Sequence, residues 1–142
     1  MRKMFLLLSL LLAGTIAGSA KDYSHYYTNL PVGVAPVTEV TFPDRHASLT
    51  DFGAKGDGVT LCTEAFARGI ESLSAQGGGI LEIPAGVWLT GPIELKSDIC
   101  LNLDKNAIIL FSPDKSLYVD PDPKARRVLP GITATRCKNI GI

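Results

Sequence analysis

The stretch LTDFGAKGDGVT, residues 49–60, combines carboxylates with glycines and a lysine, a composition that suits phosphate or metal binding. Its glycines have the spacing G-x-x-G-x-G and no strand of adequate length precedes them, so it is not a dinucleotide-binding loop. Asp51 and Asp57 lack the remaining ligands of an EF-hand calcium loop. Asp57-Gly58 is a turn dipeptide whose glycine adopts a positive φ at little cost. The stretch therefore predicts a turn, and we expect no metal or cofactor in this chain.

A basic segment in the last quarter of the chain is a second candidate, because it could attract a polyanion. Between residues 124 and 138 the sequence contains five cations and no acid, at Lys124, Arg126, Arg127, Arg136 and Lys138. Such a loop could steer an anionic polysaccharide towards a cleft by long-range attraction. The simpler interpretation, which we favour, is a solvated loop whose cations face water.

Aromatic and amide side chains are weaker candidates for sugar binding. Trp88 could form a platform for a sugar ring, but it lies between Val87 and Leu89, which we expect to point inward. Trp88 is therefore predicted to pack under the N-terminal arm or under the helix. Asn102 and Asn106 are interpreted either as members of turn ladders or as solvent-facing residues.

The overall composition argues against several classes of partner. Lys+Arg and Asp+Glu both number 14, so the charge balance indicates neither a nucleic-acid partner nor a membrane surface. Cys62, Cys100 and Cys137 have the spacing of neither a disulfide framework nor a metal site. One disulfide is compatible with an oxidising compartment, but we interpret the cysteines as small buried hydrophobic residues.

The N-terminus predicts export. Residues 1–20, MRKMFLLLSLLLAGTIAGSA, place two basic residues before an apolar run that ends in small residues, as in a secretory signal peptide. We expect cleavage after Ala20, or alternatively after Ala17, no stable membrane anchor, and a periplasmic or extracellular protein. Residues 21–48 are predicted to form an irregular N-terminal arm, because prolines interrupt them. The tyrosines of this arm are interpreted as pinning it to the domain, and they are Tyr23, Tyr26 and Tyr27.

One helix is predicted directly after the opening turn. In TEAFARGIESLSAQGGG, Phe66, Ile70 and Leu73 recur at helical spacing and form one apolar stripe. Thr60 or Thr63 is the expected N-cap, and the run of three glycines supplies a left-handed stop.

From Gly79 onward the apolar spacing changes to alternation, in short segments that turns separate. Leu81 and Ile83 recur about 20 residues later as Leu101 and Leu103. The inward face is predicted to contain Leu81, Ile83, Val87, Leu89, Ile93, Leu95, Ile99, Leu101 and Leu103. The outward face is predicted to contain Glu82, Glu94, Cys100 and Asn102.

Two-residue Asn-Gly or Asp-Gly hairpin turns do not occur in this alternating region. Three short strands per coil, stacked coil upon coil, explain the spacing better than hairpins do. The sequence therefore predicts an all-β fold, a right-handed parallel β-helix with a short N-terminal capping α-helix. A β-sandwich is the alternative.

Several segments together resemble the N-terminal coils of pectin-degrading glycoside hydrolases. These are LTDFGAKGDGVT, the following helix, GGGILEIPAGVWLTGPIELKS and ICLNLDKNAIILFSPD. The resemblance is to polygalacturonases and rhamnogalacturonases of the pectate-lyase-like β-helix superfamily, and it extends from about residue 26 to residue 142. It implies that residues 49–142 form the capping helix and the first coils of such a solenoid, truncated at the C-terminus.

The catalytic motifs of these hydrolases are not found in this sequence. The resemblance implies inverting hydrolysis by aspartates in Asn-Thr-Asp and Asp-Asp motifs, together with Gly-His-Gly and Arg-x-Lys, and the first three do not occur here. His25 and His46 lack glycine neighbours. Arg136-Cys137-Lys138 fits Arg-x-Lys literally, but it stands before every catalytic coil, and we interpret it as a coincidence. No catalytic residue is assigned, and the substrate-binding residues remain unassigned.

The resemblance implies a secreted hydrolase that cleaves α-1,4-galacturonosyl linkages in pectin and is a monomer when complete. This chain alone is predicted to be inactive. The alternatives are a pectate lyase or uronate epimerase of the same fold, and a non-enzymatic carbohydrate-binding or adhesion β-helix.

Overall fold

The computed structural model describes residues 40–122, 124–125 and 127–142. It contains eight short strands and one α-helix, α1, within this part of the chain. The predicted signal peptide, the three tyrosines and His25 lie outside the described residues, as does Arg126. The strands are β1 (His46–Ser48), β2 (Gly79–Ile83), β3 (Gly86–Thr90), β4 (Ile93–Glu94), β5 (Ile99–Leu103), β6 (Ala107–Phe111), β7 (Ile132–Thr133) and β8 (Ile140–Gly141), and α1 spans Thr63–Ala75.

The strands form three sheets in which consecutive strands of the chain rarely pair with each other. The first sheet has the order β1-β2-β5-β8, the second pairs β3 with β6, and the third pairs β4 with β7. All of these ladders are parallel. A chain that visits each sheet in turn and returns parallel to its earlier strand winds into a coil. The predicted parallel β-helix is therefore confirmed, and the sandwich alternative is wrong.

The register of the first sheet matches the repeat in the sequence. Leu81 pairs with Leu101 and Ile83 pairs with Leu103, so one coil advances the chain by the predicted length. Like apolar residues lie above one another and form one column, in which Leu81 and Leu101 are almost completely buried. Towards the end of the described chain the inward side chains are only half-buried, as at Leu103, Ile109 and Ile140.

The prediction for β3 is wrong by one residue. Trp88 and Thr90 point into the core, with 2% and 0% of their surface exposed, whereas Val87 and Leu89 are half-buried on the outer side. The reason is the turn at residues 84–85, which reverses the phase of the alternation between β2 and β3. Periodicity within a strand does not carry across such a corner.

Helix α1 covers the apolar column as predicted. Phe66, Ile70 and Leu73 are each at most 2% exposed, and the helix contacts β1, β2, β4 and β5. The chain leaves the helix through glycines with positive φ, including Gly78 at +102°. A β-carbon at Gly78 would collide with the carbonyl oxygen of Asp98, so this stop requires glycine.

The predicted helix cap is wrong. The N-cap residue is Cys62, which makes no side-chain capping bond. The hydroxyl of Thr63 instead accepts the backbone N–H of Gly91 at 2.6 Å, and the hydroxyl of Thr60 donates to Asp57. Both hydroxyls connect the helix start to neighbouring turns, which provide partners that the sequence does not reveal.

The N-terminal arm ends earlier than predicted. His46–Ser48 form β1 and pair in parallel with β2, so the first sheet begins inside the expected irregular segment. Among the described residues, we find no helix with the length and apolar character needed to cross a bilayer.

Candidate functional site

The opening stretch is a turn that closes an edge of the second sheet. Gly56 accepts the N–H of Val87 at 3.1 Å, and Gly58 donates to the carbonyl of Val87 at 2.7 Å. The Asp57 carboxylate accepts the N–H groups of Val59 and Thr60 at 2.9 and 2.7 Å. These bonds, above all that from Thr60, lower the pKa of Asp57 to about 2. The carboxylate of Asp57 thus makes its hydrogen bonds within the turn, and the predicted turn is confirmed.

Replacing Asp57 with alanine is expected to lower the melting temperature at neutral pH by a few degrees. The pKa of Asp57 is about 2 in the folded chain, below its ordinary value of 3.8, so the ionised carboxylate stabilises the fold above that ordinary value. This contribution is lost as the pH falls through 3.8 towards 2. Melting curves of both chains across this range should therefore converge at acid pH, and Asp57→Asn, which keeps one acceptor, should fall between them. A constant difference at all pH values would contradict this account.

A groove of about 800 Å³ lies on the other side of the helix. One wall is α1 and the floor is the third sheet. The other wall is formed by Leu117, Asp120, Pro121 and the run Arg127–Pro130, which belong to the loop between β6 and β7 (residues 112–131). Apolar and polar side chains both line it. The polar and charged lining residues are Thr63, Glu71, Glu94, Lys96, Asp120, Arg127, Thr133 and Thr135.

Two ion pairs stand in this groove. Lys96, just after β4, pairs with Glu71 of α1 across the floor. Arg127 donates through Nε to Asp120 within the loop between β6 and β7. The Asp120 side chain is only 6% exposed, whereas that of Arg127 is 72% exposed. The Arg127 hydrogen bond, helped by the backbone N–H of Asp122, lowers the pKa of Asp120, so this carboxylate stays ionised.

A separate polar ladder crosses the outer face of the first sheet. His46 Nδ1 lies 2.8 Å from Glu82 Oε1, and the Asn102 amide donates to Glu82 Oε2 at 2.6 Å. Asp44 lies 3.2 Å from His46 Nε2. The hydrogen bond with Glu82 raises the pKa of His46; burial opposes this effect, and the weaker contribution of the bond with Asp44 raises the pKa further. Asn102 therefore belongs to a ladder, on the strand face rather than at a turn.

Burial of Trp88 excludes the alternative of a sugar platform and agrees with the predicted packing role. Trp88 is 2% exposed and donates its indole N–H to the carbonyl of Pro84 at 2.8 Å. It packs against Gly56 and belongs to the same buried cluster as Phe66 and Ile70 of α1. Asn106 lies at the turn before β6, where its carbonyl accepts the N–H of Gly86.

The cations of the basic segment that the structure describes differ in their surroundings. Arg127 is neutralised by Asp120, which precedes the segment and was missed because a contact across a loop leaves no periodic signal. Lys124, Arg136 and Lys138 are exposed. The backbone N–H of Lys138 donates to Ser97, so this part of Arg136-Cys137-Lys138 serves the turn before β8. The interpretation of a solvated loop fits Lys124, Arg136 and Lys138. It fits Arg127 less well, because this side chain is paired with Asp120.

The cysteines are all free thiols, so the compatible disulfide does not form. Cys62 is 2% exposed and behaves as a small hydrophobic residue, as predicted, while Cys100 and Cys137 are half-buried. Burial, with a smaller effect of Glu82, raises the pKa of the Cys100 thiol. Across residues 40–122, 124–125 and 127–142, no cluster of three or more His, Cys, Asp or Glu side chains could hold a metal ion.

The chain is similar in sequence to part of several carbohydrate-active proteins. It is 48% identical over 75 residues to a probable polygalacturonase of Vitis vinifera, which covers 51% of this chain and 15% of that protein. It is 40% identical over 83 residues to an exo-poly-alpha-D-galacturonosidase of Dickeya chrysanthemi, covering 58% of this chain and 14% of the relative. The mannuronan C5-epimerase AlgE5 of Azotobacter vinelandii is 40% identical over 63 residues, covering 44% and 6%. No family model matches the chain.

The coordinates show the same similarity. The structure of a hyperthermoactive exopolygalacturonase from Thermotoga maritima matches with a TM-score of 0.65 and 41% identity, over 74% of this chain and 25% of that one. The predicted resemblance to pectin-degrading glycoside hydrolases of the polygalacturonase type is thus confirmed, for a chain that spans a small part of these relatives. The class of fold is equally confirmed.

Proposed function

We propose that this chain is part of an exported glycoside hydrolase that cleaves α-1,4-galacturonosyl linkages in pectin. The observation that supports this best is the agreement of sequence and coordinates, since polygalacturonases match the chain at 40–48% identity and an exopolygalacturonase matches its coils. Export rests on the signal-peptide pattern of residues 1–20. The complete protein is proposed to act on a polysaccharide as a monomer.

The proposed contribution of these residues is to begin the solenoid and to hold its first coils in register. Inverting glycosidases need two carboxyl groups about 6.5–9.5 Å apart, one as general acid and one to activate water. Three of the carboxylates described here have structural partners, because Asp57 holds a turn, Asp120 holds Arg127, and Glu82 holds His46. The catalytic carboxylates are therefore proposed to lie on further coils.

Uronate epimerisation is the second candidate. The similarity to a mannuronan C5-epimerase favours it, at the same 40% identity as the bacterial galacturonosidase but over fewer residues. The motif Asp-Phe-Gly-Ala-x-Gly-Asp-Gly has a structural role here, since it closes the edge of the second sheet. The hydrolase is preferred because the aligned stretch is longer with both polygalacturonases.

The test is to express the longest reading frame that contains these residues and to analyse its products. On polygalacturonate, a hydrolase releases new reducing ends without unsaturated sugars, whereas a lyase releases unsaturated uronates that absorb in the ultraviolet. An epimerase leaves the chain length unchanged and inverts C5, which proton NMR of treated mannuronan detects. The 142-residue chain is the matched control and is expected to release no reducing ends above blank. New unsaturated or inverted products instead of reducing ends would overturn the proposal.

A further inference from the structure

The geometry of Arg127 suggests a role beyond that of a surface cation. Its guanidinium lines the groove. It is held there through Nε by Asp120, a buried carboxylate that precedes it in the same loop. Two further bonds stiffen this loop, from the N–H of Leu129 to the carbonyl of Tyr118 and from the N–H of Asp122 to Asp120. The arginine is therefore oriented by a fixed and ionised partner.

This orientation leaves the terminal part of the guanidinium available for a ligand. Within residues 40–122, 124–125 and 127–142, the protein acceptor of this side chain is Asp120 at Nε, while 72% of the side chain remains exposed. The two terminal nitrogens of an arginine form a planar fork that matches a carboxylate in bidentate geometry. Such an arginine loses little conformational freedom when it binds, because Asp120 has already restricted it.

The remaining lining of the groove suits a sugar ring. The groove has a volume of about 800 Å³, within the usual range for a small-ligand site. Leu117, Val128 and Leu129 offer apolar surface to the C–H faces of a sugar, and the hydroxyls of Thr133 and Thr135 offer hydrogen bonds to its hydroxyls. The other groove cation, Lys96, is already paired with Glu71.

We propose that the groove between α1 and the loop of residues 112–131 binds a uronate unit of an acidic oligosaccharide, with Arg127 as the carboxylate-binding residue and Asp120 as its positioning residue. This inference rests on the proposed function for the identity of the sugar, and it concerns a binding site rather than the cleavage reaction. A neutral sugar would leave the arginine fork unused. The net negative charge of the groove, with Glu71, Glu94 and Asp120 against Lys96 and Arg127, disfavours binding by general attraction alone.

The test is calorimetric titration of the whole chain with trigalacturonate and with its neutral methyl ester. Arg127→Gln is expected to weaken trigalacturonate binding by about tenfold or more, because a charge-assisted bidentate contact is lost. Lys124→Gln removes the same charge from the same loop outside the groove lining and should leave affinity unchanged. The methyl ester should bind the unsubstituted chain as weakly as trigalacturonate binds Arg127→Gln.

Asp120→Asn separates an oriented arginine from simple charge attraction. Removing a negative charge beside the site would strengthen binding if only charge mattered, whereas loss of the positioning carboxylate should weaken it. Arg127→Lys, which keeps the charge without the fork, should bind less tightly than the unsubstituted chain. Thermal melts of every variant verify folding.

Two results would overturn the inference, namely equal binding of the acid and the methyl ester, or unchanged affinity in a folded Arg127→Gln. In either case, hydrolysis of polygalacturonate by the longest reading frame would leave the proposed function intact.

Discussion

Replacing Phe66 with aspartate is expected to cost the fold roughly 3–5 kcal/mol, which is the usual cost of truncating a buried phenylalanine, before any penalty for the charge. Phe66 is 1% exposed and is the first residue of the apolar stripe with which α1 covers the first coil. Since a domain is commonly stable by about 5–15 kcal/mol, this substitution should remove a large share of the total. Urea denaturation followed by circular dichroism measures the loss.

Ala67→Asp is the matched control for this prediction. It places the same charge on the same helix one residue further, at an exposed position that faces the groove. The charge remains in water there, so the free energy of unfolding should fall by less than about 1 kcal/mol, most of it the lower helix propensity of aspartate. If both variants lost stability equally, helix propensity rather than burial would be the cause, and the role of α1 as a cap would be contradicted.

Trp88→Ala is expected to be comparably damaging, with a loss of roughly 3–5 kcal/mol. The indole is 2% exposed, fills the corner between β3 and the opening turn, and is hydrogen-bonded to Pro84 at 2.8 Å. Trp88→Phe keeps an aromatic ring but removes the N–H donor and part of the volume, so it should cost about 1–2 kcal/mol. Urea titration monitored by circular dichroism measures both variants.

The same substitutions also test the alternative in which Trp88 is a sugar platform. The chain has one tryptophan, so its fluorescence reports this site alone. A core tryptophan should emit at short wavelength and resist quenching by iodide, and Leu89→Ala, on the half-buried outer side, should cost less stability than Trp88→Ala. Easy quenching by iodide, or weakened sugar binding without lost stability in Trp88→Phe, would contradict a core role.

Most of the fold prediction rested on the repeat of apolar residues at the length of one coil. The recurrence of Leu81 and Ile83 as Leu101 and Leu103 corresponds directly to their pairing in the first sheet. The stripe of Phe66, Ile70 and Leu73 equally predicted the helix face that became buried. Both are local patterns that burial imposes on sequence, because an inward position in a stacked coil must be apolar in every coil.

The errors arose where the chain turns or where distant segments meet. The corner at residues 84–85 reversed the phase of β3, so Trp88 rather than Val87 points inward. The helix N-cap prediction failed because the hydroxyl of Thr63 binds Gly91, which lies 28 residues away in sequence. The side chains that line the groove come from the helix, the third sheet and the loop of residues 112–131, and no spacing in the sequence joins them.

The sequence by itself determined that short strands repeat at one coil length, that a helix precedes them, and that the opening stretch is a turn. These features depend on residues that are close together in the sequence, where hydrophobic periodicity and backbone preferences act directly. Only the tertiary structure decided that Asp120 orients Arg127, that Lys96 meets Glu71, and that the groove exists. Such pairings depend on the path of loops between coils, and an ion pair constrains the distance between two side chains without constraining their separation in sequence.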